Sequence, residues 1–400
     1  MTVKAGLPYG EACTSGNVDL FIKGDNVKEY TEHELLKLAK RFHNTKRTYL
    51  LVDPLQGKHL PVRPSDALEM LHTFGELVSE KYPETKLVIG FAETATAVGM
   101  TVAEKMGGDC IYIHTTRENI SRESEWIEFL EEHSHATDQK LSASHLGKWL
   151  ADTETIVFVD DEISTGKTII NFIEQLKKNY PEVNEKKLVA ASIINRVTQE
   201  NNAKMESYGI ESISLVKLDD TDFTEDVKQY DISEAEEINE NVAVARYEYL
   251  NSRANLMDPR LGVKTREYVE NCKMFAYDFL IQEKLFDDYG SILILGTEEC
   301  MYPAIVLGET IEKNTRANVY THSTTRSPIG ICRAKGYPIT SGYRIKSLYD
   351  NGRKTYIYDL KKYDLVIIVT DSDRDSFCER HSLVEALFKE GNKNVVLYRG

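Results

Sequence analysis

Short runs of aliphatic and β-branched residues alternate with segments whose apolar positions recur every three or four residues, from about Arg47 to the C-terminus. The pattern predicts strands over 48–52, 86–91, 109–114, 155–159, 187–194 and 211–217. Helices are expected between them over 65–81, 94–106, 167–179 and 201–208, with Ser65 placed to cap the first. A polar stretch, 115–153, breaks the rhythm; its middle, 122–135, suits a helix, and its charge predicts exposure. The acidic segment 219–241 reads either as a linker or solvated connection, or as part of an ordered surface helix over 233–249. A second series follows, with strands over 291–295, 317–322, 365–370 and 394–398 and helices over 302–313 and 382–390. Strands this short and apolar, separated by helices, describe parallel sheets covered on both faces. The expected fold class is α/β, with two α/β domains.

The two series echo each other. Gly90 lies 25 residues before Thr115, and Gly296 lies 28 before Thr324. Onward, 45 residues separate Thr115 from Asp160 and 47 separate Thr324 from Asp371. In both halves a hydrophobic strand runs into acidic residues. A diverged internal duplication is one reading, and chance likeness of two α/β units is the other.

Composition narrows the partners. At 400 residues the chain should hold two or three cores, and 41% hydrophobic with 28% charged residues is a globular profile. A net charge of −15 with no dense basic run disfavours nucleic acid, whose affinity comes largely from neutralising phosphates. An anionic ligand would need local positive potential or a divalent cation. Six scattered cysteines without CxxC spacing are expected to be reduced. Residues 1–19 have no apolar leader and no stretch reaches membrane-spanning length, so a cytoplasmic protein with no membrane partner is expected.

The candidate chemistry follows strand ends. In the run Thr155–Thr168 (TIVFVDDEISTGKT) a buried strand delivers Asp160 and Asp161, and a turn of Ser164, Thr165 and Gly166 opens a helix at Lys167 and Thr168. Free amides at a helix N-terminus and clustered hydroxyls suit a phosphate monoester, while adjacent carboxylates suit vicinal ribose hydroxyls. A GxxxxGK[ST] loop is excluded because Asp161 stands where it needs glycine. Upstream, Ala92, Glu93, Thr94 and Ala95 join another strand end to a helix start. That arrangement can bind anionic oxygens or can be plain close packing.

The 155–168 segment closely resembles the signature of type I phosphoribosyltransferases, which bind 5-phosphoribosyl 1-pyrophosphate (PRPP). The resemblance implies that a phosphoribosyltransferase parallel sheet flanked by helices forms the first domain; the second α/β domain is either its diverged duplicate or a unit alike by chance. It further implies that Asp160 and Asp161 bind the ribose hydroxyls, that Ser164, Thr165, Gly166, Lys167 and Thr168 bind the 5-phosphate, and that Ala92–Ala95 form the pyrophosphate loop. Arg117 and Arg122 would stabilise departing pyrophosphate, a solvated charge being the alternative for Arg122, and magnesium would enter with PRPP near Asp160 and Asp161. Lys58, His59 and Arg63 are candidates for the hood over the acceptor base, a basic surface turn being the alternative.

Thr325-Arg-Ser-Pro328 and the run Gly296–Tyr302 resemble the TRSP domain found after phosphoribosyltransferase domains in bacterial tellurium-resistance and stress operons. That implies domains at 1–220, with hood elements from 1–65, a connection at 221–250, and a TRSP-like domain at 251–400. It also implies synthesis of a ribonucleoside or nucleotide, a homodimer, and other enzymes of the same operon as partners. Serine at 164, where purine enzymes commonly carry an acid, favours an orotate-like acceptor over purine salvage. Glu298, Glu299, Thr324, Thr325, Arg326, Asp371 and Asp373 gather at strand ends of the second half and are expected to form a further site or a degenerate structural partner. A PRPP-sensing regulator or a complex scaffold is the alternative to an enzyme.

Overall fold

A computed structural model describes residues 28–42, 47–129, 139–218, 221–238, 247–283, 289–350, 352–372 and 377–400. In chain order, the strands of the two main sheets are β1 Leu87–Gly90, β2 Ile111–His114, β3 Thr155–Ile163, β4 Lys187–Asn195, β5 Ile210–Lys217, β6 Glu248–Asn251, β7 Val263–Lys264, β8 Ser291–Gly296, β9 Asn318–Ser323, β10 Leu365–Thr370 and β11 Val395–Arg399. The principal helices are α1 Pro64–Lys81, α2 Thr96–Met106, α3 Lys167–Asn179, α4 Thr265–Glu283, α5 Tyr302–Asn314 and α6 Phe377–Lys389.

The first sheet runs β7-β2-β1-β3-β4-β5 and the second β6-β11-β10-β8-β9. Every pairing is parallel except that of β7 with β2. Strand alternation decides the layers. On the first sheet Val88, Val157, Val159 and Val189 face a core shared by both halves, whereas Leu87, Ile89, Ile156 and Phe158 face an outer core under α3. On the second sheet Ile292, Ile294, Ile367 and Val369 face the shared core, and Leu293, Leu295, Val366 and Ile368 the opposite side. Between the sheets lie α1, α2, α4 and α5, with α1 packed on α5 and α2 on α4.

The order β2-β1-β3-β4 is repeated as β9-β8-β10-β11, and the registers agree. Gly90 lies level with His114 and Val159, as Gly296 lies level with Ser323 and Val369. By that register Asp371 corresponds to Asp161, one residue further along than the sequence spacing had matched it. Both glycines are required by crowding. A Cβ would sit 2.7 Å from the Tyr112 hydroxyl at Gly90 and 2.6 Å from the Cys300 carbonyl at Gly296.

Several expectations are corrected. Residues 122–135 contain no helix among the described positions. Trp126–Phe129 is a strand paired with Gln139–Ser142, and Ile127 and Phe129 alternate inward to pack with Phe91 and Phe172. Around 219–249 the described residues form a short turn at Asp226–Gln229 and a two-residue strand, Glu236–Glu237, beside Gly342–Lys346, with β6 beyond; none of the described residues of 233–249 is helical. Ser65 is not the cap of α1. Arg63 is, with Pro64 at the first helical position, and Ser65 instead donates its hydroxyl to Glu312. The 19-residue α4 was not expected, although Tyr268, Cys272, Phe275 and Phe279 recur at helical spacing and are buried.

Candidate active site

β3 extends through the acidic pair to Ile163, so Asp160, Asp161 and Glu162 all lie on strand backbone. The Asp161 N–H donates to Asp160 Oδ1 at 2.9 Å. Glu162 is held at 2.6 Å by both Arg47 and Arg196; although burial opposes it, the two guanidiniums keep its carboxyl below the usual range. Asp161 has no such clamp. Burial and the neighbouring Glu162 raise its pKa, against hydrogen bonding from Asp160 and the more distant Arg47. Ser164, Thr165 and Thr168 are partly exposed at the N-terminus of α3, beside buried Gly166 and exposed Lys167. Gly166 has φ 73°, and a Cβ there would run into the Met205 sulfur. The turn is therefore a hydroxyl-lined cup with its amides at the positive end of a 13-residue helix.

The neighbouring strand β1 ends at Gly90, level with Val159, so the chain towards the 92–95 loop leaves the sheet beside the acidic pair that follows Val159. The Ala92–Glu93 peptide is cis. Ala92 N–H donates to Thr115 Oγ1 at 2.8 Å, and the Gln139 amide donates to the Ala92 carbonyl at 2.8 Å. Arg117 follows β2 and is partly buried, and its charge helps to lower the Glu93 pKa; Arg122 is exposed. Sequence reading thus brings Asp160, Asp161, Ser164–Thr168, Ala92–Ala95 and Arg117 to adjacent strand ends.

The second-half residues arrive at the same place. Glu93 meets Lys58 at 2.5 Å and Arg326 at 3.1 Å, which hold it ionised below the usual carboxylate range despite burial. Arg326 also reaches Glu298 at 2.9 Å, Glu299 at 3.5 Å and Glu118. Glu299 is fully buried and strongly depressed: burial opposes ionisation, but Arg260 at 2.7 Å and Arg326 overcome it, with the Thr116 hydroxyl donating at 2.7 Å. Glu298 adopts φ 48°, held by its N–H to Thr324 Oγ1 at 2.9 Å and by Arg353 and the Ser347 hydroxyl on its carboxylate. Asp371 is bound to Arg260 and the Tyr349 hydroxyl, each at 2.5 Å. The Thr325 N–H pairs with the Tyr356 carbonyl. Asp373 lies outside the described residues. Arg260, Arg353, Ser347 and Glu118 complete this network. Glu118 is next in the chain to Arg117; the other three carried no signal in the sequence.

The hood candidates divide. Lys58 is buried, donating to the Glu298 carbonyl at 2.7 Å, and Arg63 is drawn away to Glu312 on α5. His59 is 3% exposed, held neutral by burial and by Lys58 with its pKa pushed down to about 3, and neither ring nitrogen has a partner among the described residues. Asp53 Oδ2 and Gln56 Nε2, in the same segment, are also buried without partners among the described residues; neither was foreseen. The TRSP segment closes on this region. Phe42 N–H donates to the Pro328 carbonyl at 2.9 Å, and Arg41 pairs with Ile329.

Among the described residues no three His, Cys, Asp or Glu side chains form a metal cage. The acidic pair therefore fits a divalent cation only if a substrate brings most of the ligands. Cys110, Cys272, Cys300 and Cys332 are free thiols, and no described helix is long and apolar enough to cross a membrane.

The parallel strands β1–β5, with this acidic strand end and hydroxyl-lined turn, lie inside a region that a known family matches. Residues 35–218 match the family model described as phosphoribosyl transferase, and residues 260–387 match the TRSP domain that lies C-terminal to it. The chain thus joins a region of the phosphoribosyl transferase family to the TRSP domain that follows it. Among solved structures, an adenine phosphoribosyltransferase from Giardia lamblia shares 15% identity at TM-score 0.34, covering 46% of this chain and 95% of that one. An orotate phosphoribosyltransferase from Aeropyrum pernix shares 17% at TM-score 0.30, covering 46% and 88%. The Trypanosoma brucei adenine enzyme shares 11% at TM-score 0.33, covering 46% and 76%. No curated protein matches the chain.

Proposed function

We propose that this protein transfers the 5-phosphoribosyl group of PRPP to a base-like acceptor and releases pyrophosphate. The observation that carries the reading is the placement of Asp160, Asp161 and the Ser164–Thr168 cup beside the 92–95 loop at adjacent parallel strand ends. Asp160 and Asp161 accept from the ribose hydroxyls, the cup holds the 5-phosphate, and the 92–95 loop with Arg117 meets the pyrophosphate. The C1–O bond breaks with its electron pair leaving on pyrophosphate as a ring nitrogen of the acceptor bonds to C1. The protein's work is to orient the two and to manage charge. Magnesium would be held by the substrate's own oxygens near Asp160 and Asp161, and it supplies neutralisation of the pyrophosphate.

The acceptor would face the segment 53–59, where Asp53, Gln56 and His59 keep buried polar atoms without partners among the described residues. Ser164 cannot serve as a base near neutral pH, which favours an orotate-like acceptor that is already anionic over purine salvage. The TRSP resemblance favours a cytoplasmic role in making a ribonucleoside or nucleotide for a stress response, alongside other enzymes of the same operon, and a homodimer.

Titration calorimetry with PRPP and magnesium tests the reading, and Asp161→Asn tests its centre. The variant should keep the wild-type melting profile yet lose at least about tenfold in PRPP affinity, as expected for a lost charge-assisted bond. Unchanged affinity would remove the assignment.

A further inference from the structure

We infer that the C-terminal half serves the phosphoribosyl site as a second subunit serves a site at a two-fold interface, and that Arg326 is a positioning residue of its pyrophosphate loop; this rests on the function proposed above. The geometry is reciprocal in detail. Ahead of α4, Val263 pairs with Tyr112 on the edge of the first sheet; ahead of α1, Val62 pairs with Thr321 on the edge of the second. By the shared register Tyr112 and Thr321 are equivalent positions. Within each half, the loop after the first strand is tied identically: Ala92 N–H to Thr115 Oγ1, and Glu298 N–H to Thr324 Oγ1. Across the halves, Arg117 N–H donates to Glu299 Oε1 at 3.2 Å while Arg326 N–H donates to Glu93 Oε1 at 3.3 Å. Residue i meets j, and j meets i, as in an isologous interface between identical subunits.

Charge breaks the symmetry and gives the arrangement its direction. Asp371, the counterpart of Asp161, is spent on Arg260 and Tyr349. The sequence after it, Ser372 to Ser376, lacks the Ser/Thr-Thr-Gly turn. The second half has thus turned its own strand ends into an interface and contributes a guanidinium to the first. A carboxylate in a loop that must accept pyrophosphate is tolerable only if neutralised, and Glu93 is neutralised from both sides: Lys58 from its own half and Arg326 from the other. Arg326 fixes the loop through side chain and backbone together, so it sets where the loop's amides and Thr94 point.

PRPP and ribose 5-phosphate differ by the pyrophosphate, so their affinity ratio isolates that loop. Calorimetry on the full chain should show Arg326→Gln weakening PRPP by about tenfold or more while ribose 5-phosphate stays within about twofold. Arg326→Lys, which keeps charge but loses the planar fork, should fall between. Arg353→Gln removes a cation from the same cluster without touching Glu93, and should leave the ratio at the wild-type value. A ratio unchanged in both Arg326 variants, or altered equally by Arg353→Gln, overturns the inference. If the glutamine variant does not fold, the lysine variant alone decides. A wild-type chain that binds neither ligand removes the phosphoribosyl reading and this inference with it, whereas binding of both with an unmoved ratio removes only the inference.

Discussion

Asp53 is 5% exposed, accepts one hydrogen bond from the Leu55 N–H at 2.8 Å, and leaves its second oxygen without a partner among the described residues. Burial, with a contribution from nearby Asp161, pushes its pKa up to about 7. Glu118, buried beside Glu299, is likewise raised to about 7. The folded chain therefore keeps these protons at pH values where the unfolded chain has lost them. Stability contributed by that difference is full below the unfolded pKa near 4 and is lost as pH rises towards 7. Asp53→Asn removes one such group while retaining the acceptor for Leu55. Its stability relative to wild type should rise between pH 5 and pH 8 by about 2 kcal/mol, read from urea midpoints. A difference that does not move with pH would mean that Asp53 is ionised in the fold at pH 5.

At the scale of elements, the proposed phosphate cup depends on one left-handed residue between a strand and a helix. Gly166 allows α3 to start directly behind β3, and Met205 fills the space a side chain would take. Gly166→Ala should cost about 2 kcal/mol or more from backbone strain and overpacking, measured by urea denaturation, and should weaken ribose 5-phosphate binding together with PRPP. A silent substitution would show that the turn relaxes freely. This cup was legible in the sequence because strand, acids, turn and helix are contiguous, so local rules suffice. The central strands and α3 were legible for the same reason, their apolar periods being strong and short-range. The antiparallel pair Trp126–Phe129 and Gln139–Ser142 was not, since only the packing of Phe129 on Phe91 and Phe172 reveals which period matters there. Nor were Arg260 and Arg353. Their partners Glu299, Asp371, Glu118 and Glu298 stand far off in the chain, and a lone arginine in sequence is indistinguishable from a solvated one.

For the whole molecule, the decisive feature is that the two sheets have one core between them. Leu71, Phe74 and Met100 of the first half lie in the same apolar layer as Phe275, Ile305 and Leu307 of the second, and the edge strands β7 and Val62 are exchanged between the sheets. Uncovering that layer would expose the apolar faces of α1 and α2 together with Glu93 and Glu118, whose cation Arg326 belongs to the other half. Those apolar faces are stable only while covered, and exposing them at about 25 cal/mol per Å² takes more than a domain's marginal stability holds, so the first half should not persist alone once the second has melted. Differential scanning calorimetry should therefore give a single transition, with calorimetric and van't Hoff enthalpies in agreement. PRPP, whose proposed site lies in the first half, should shift that transition as one. Two resolved transitions, with only the earlier or only the later moved by PRPP, would mean that the halves are independent folding units and that the ion cluster between them is an incidental contact. A single shifted transition means that binding at the phosphate cup is felt as far away as β11, because no surface divides the chain cheaply.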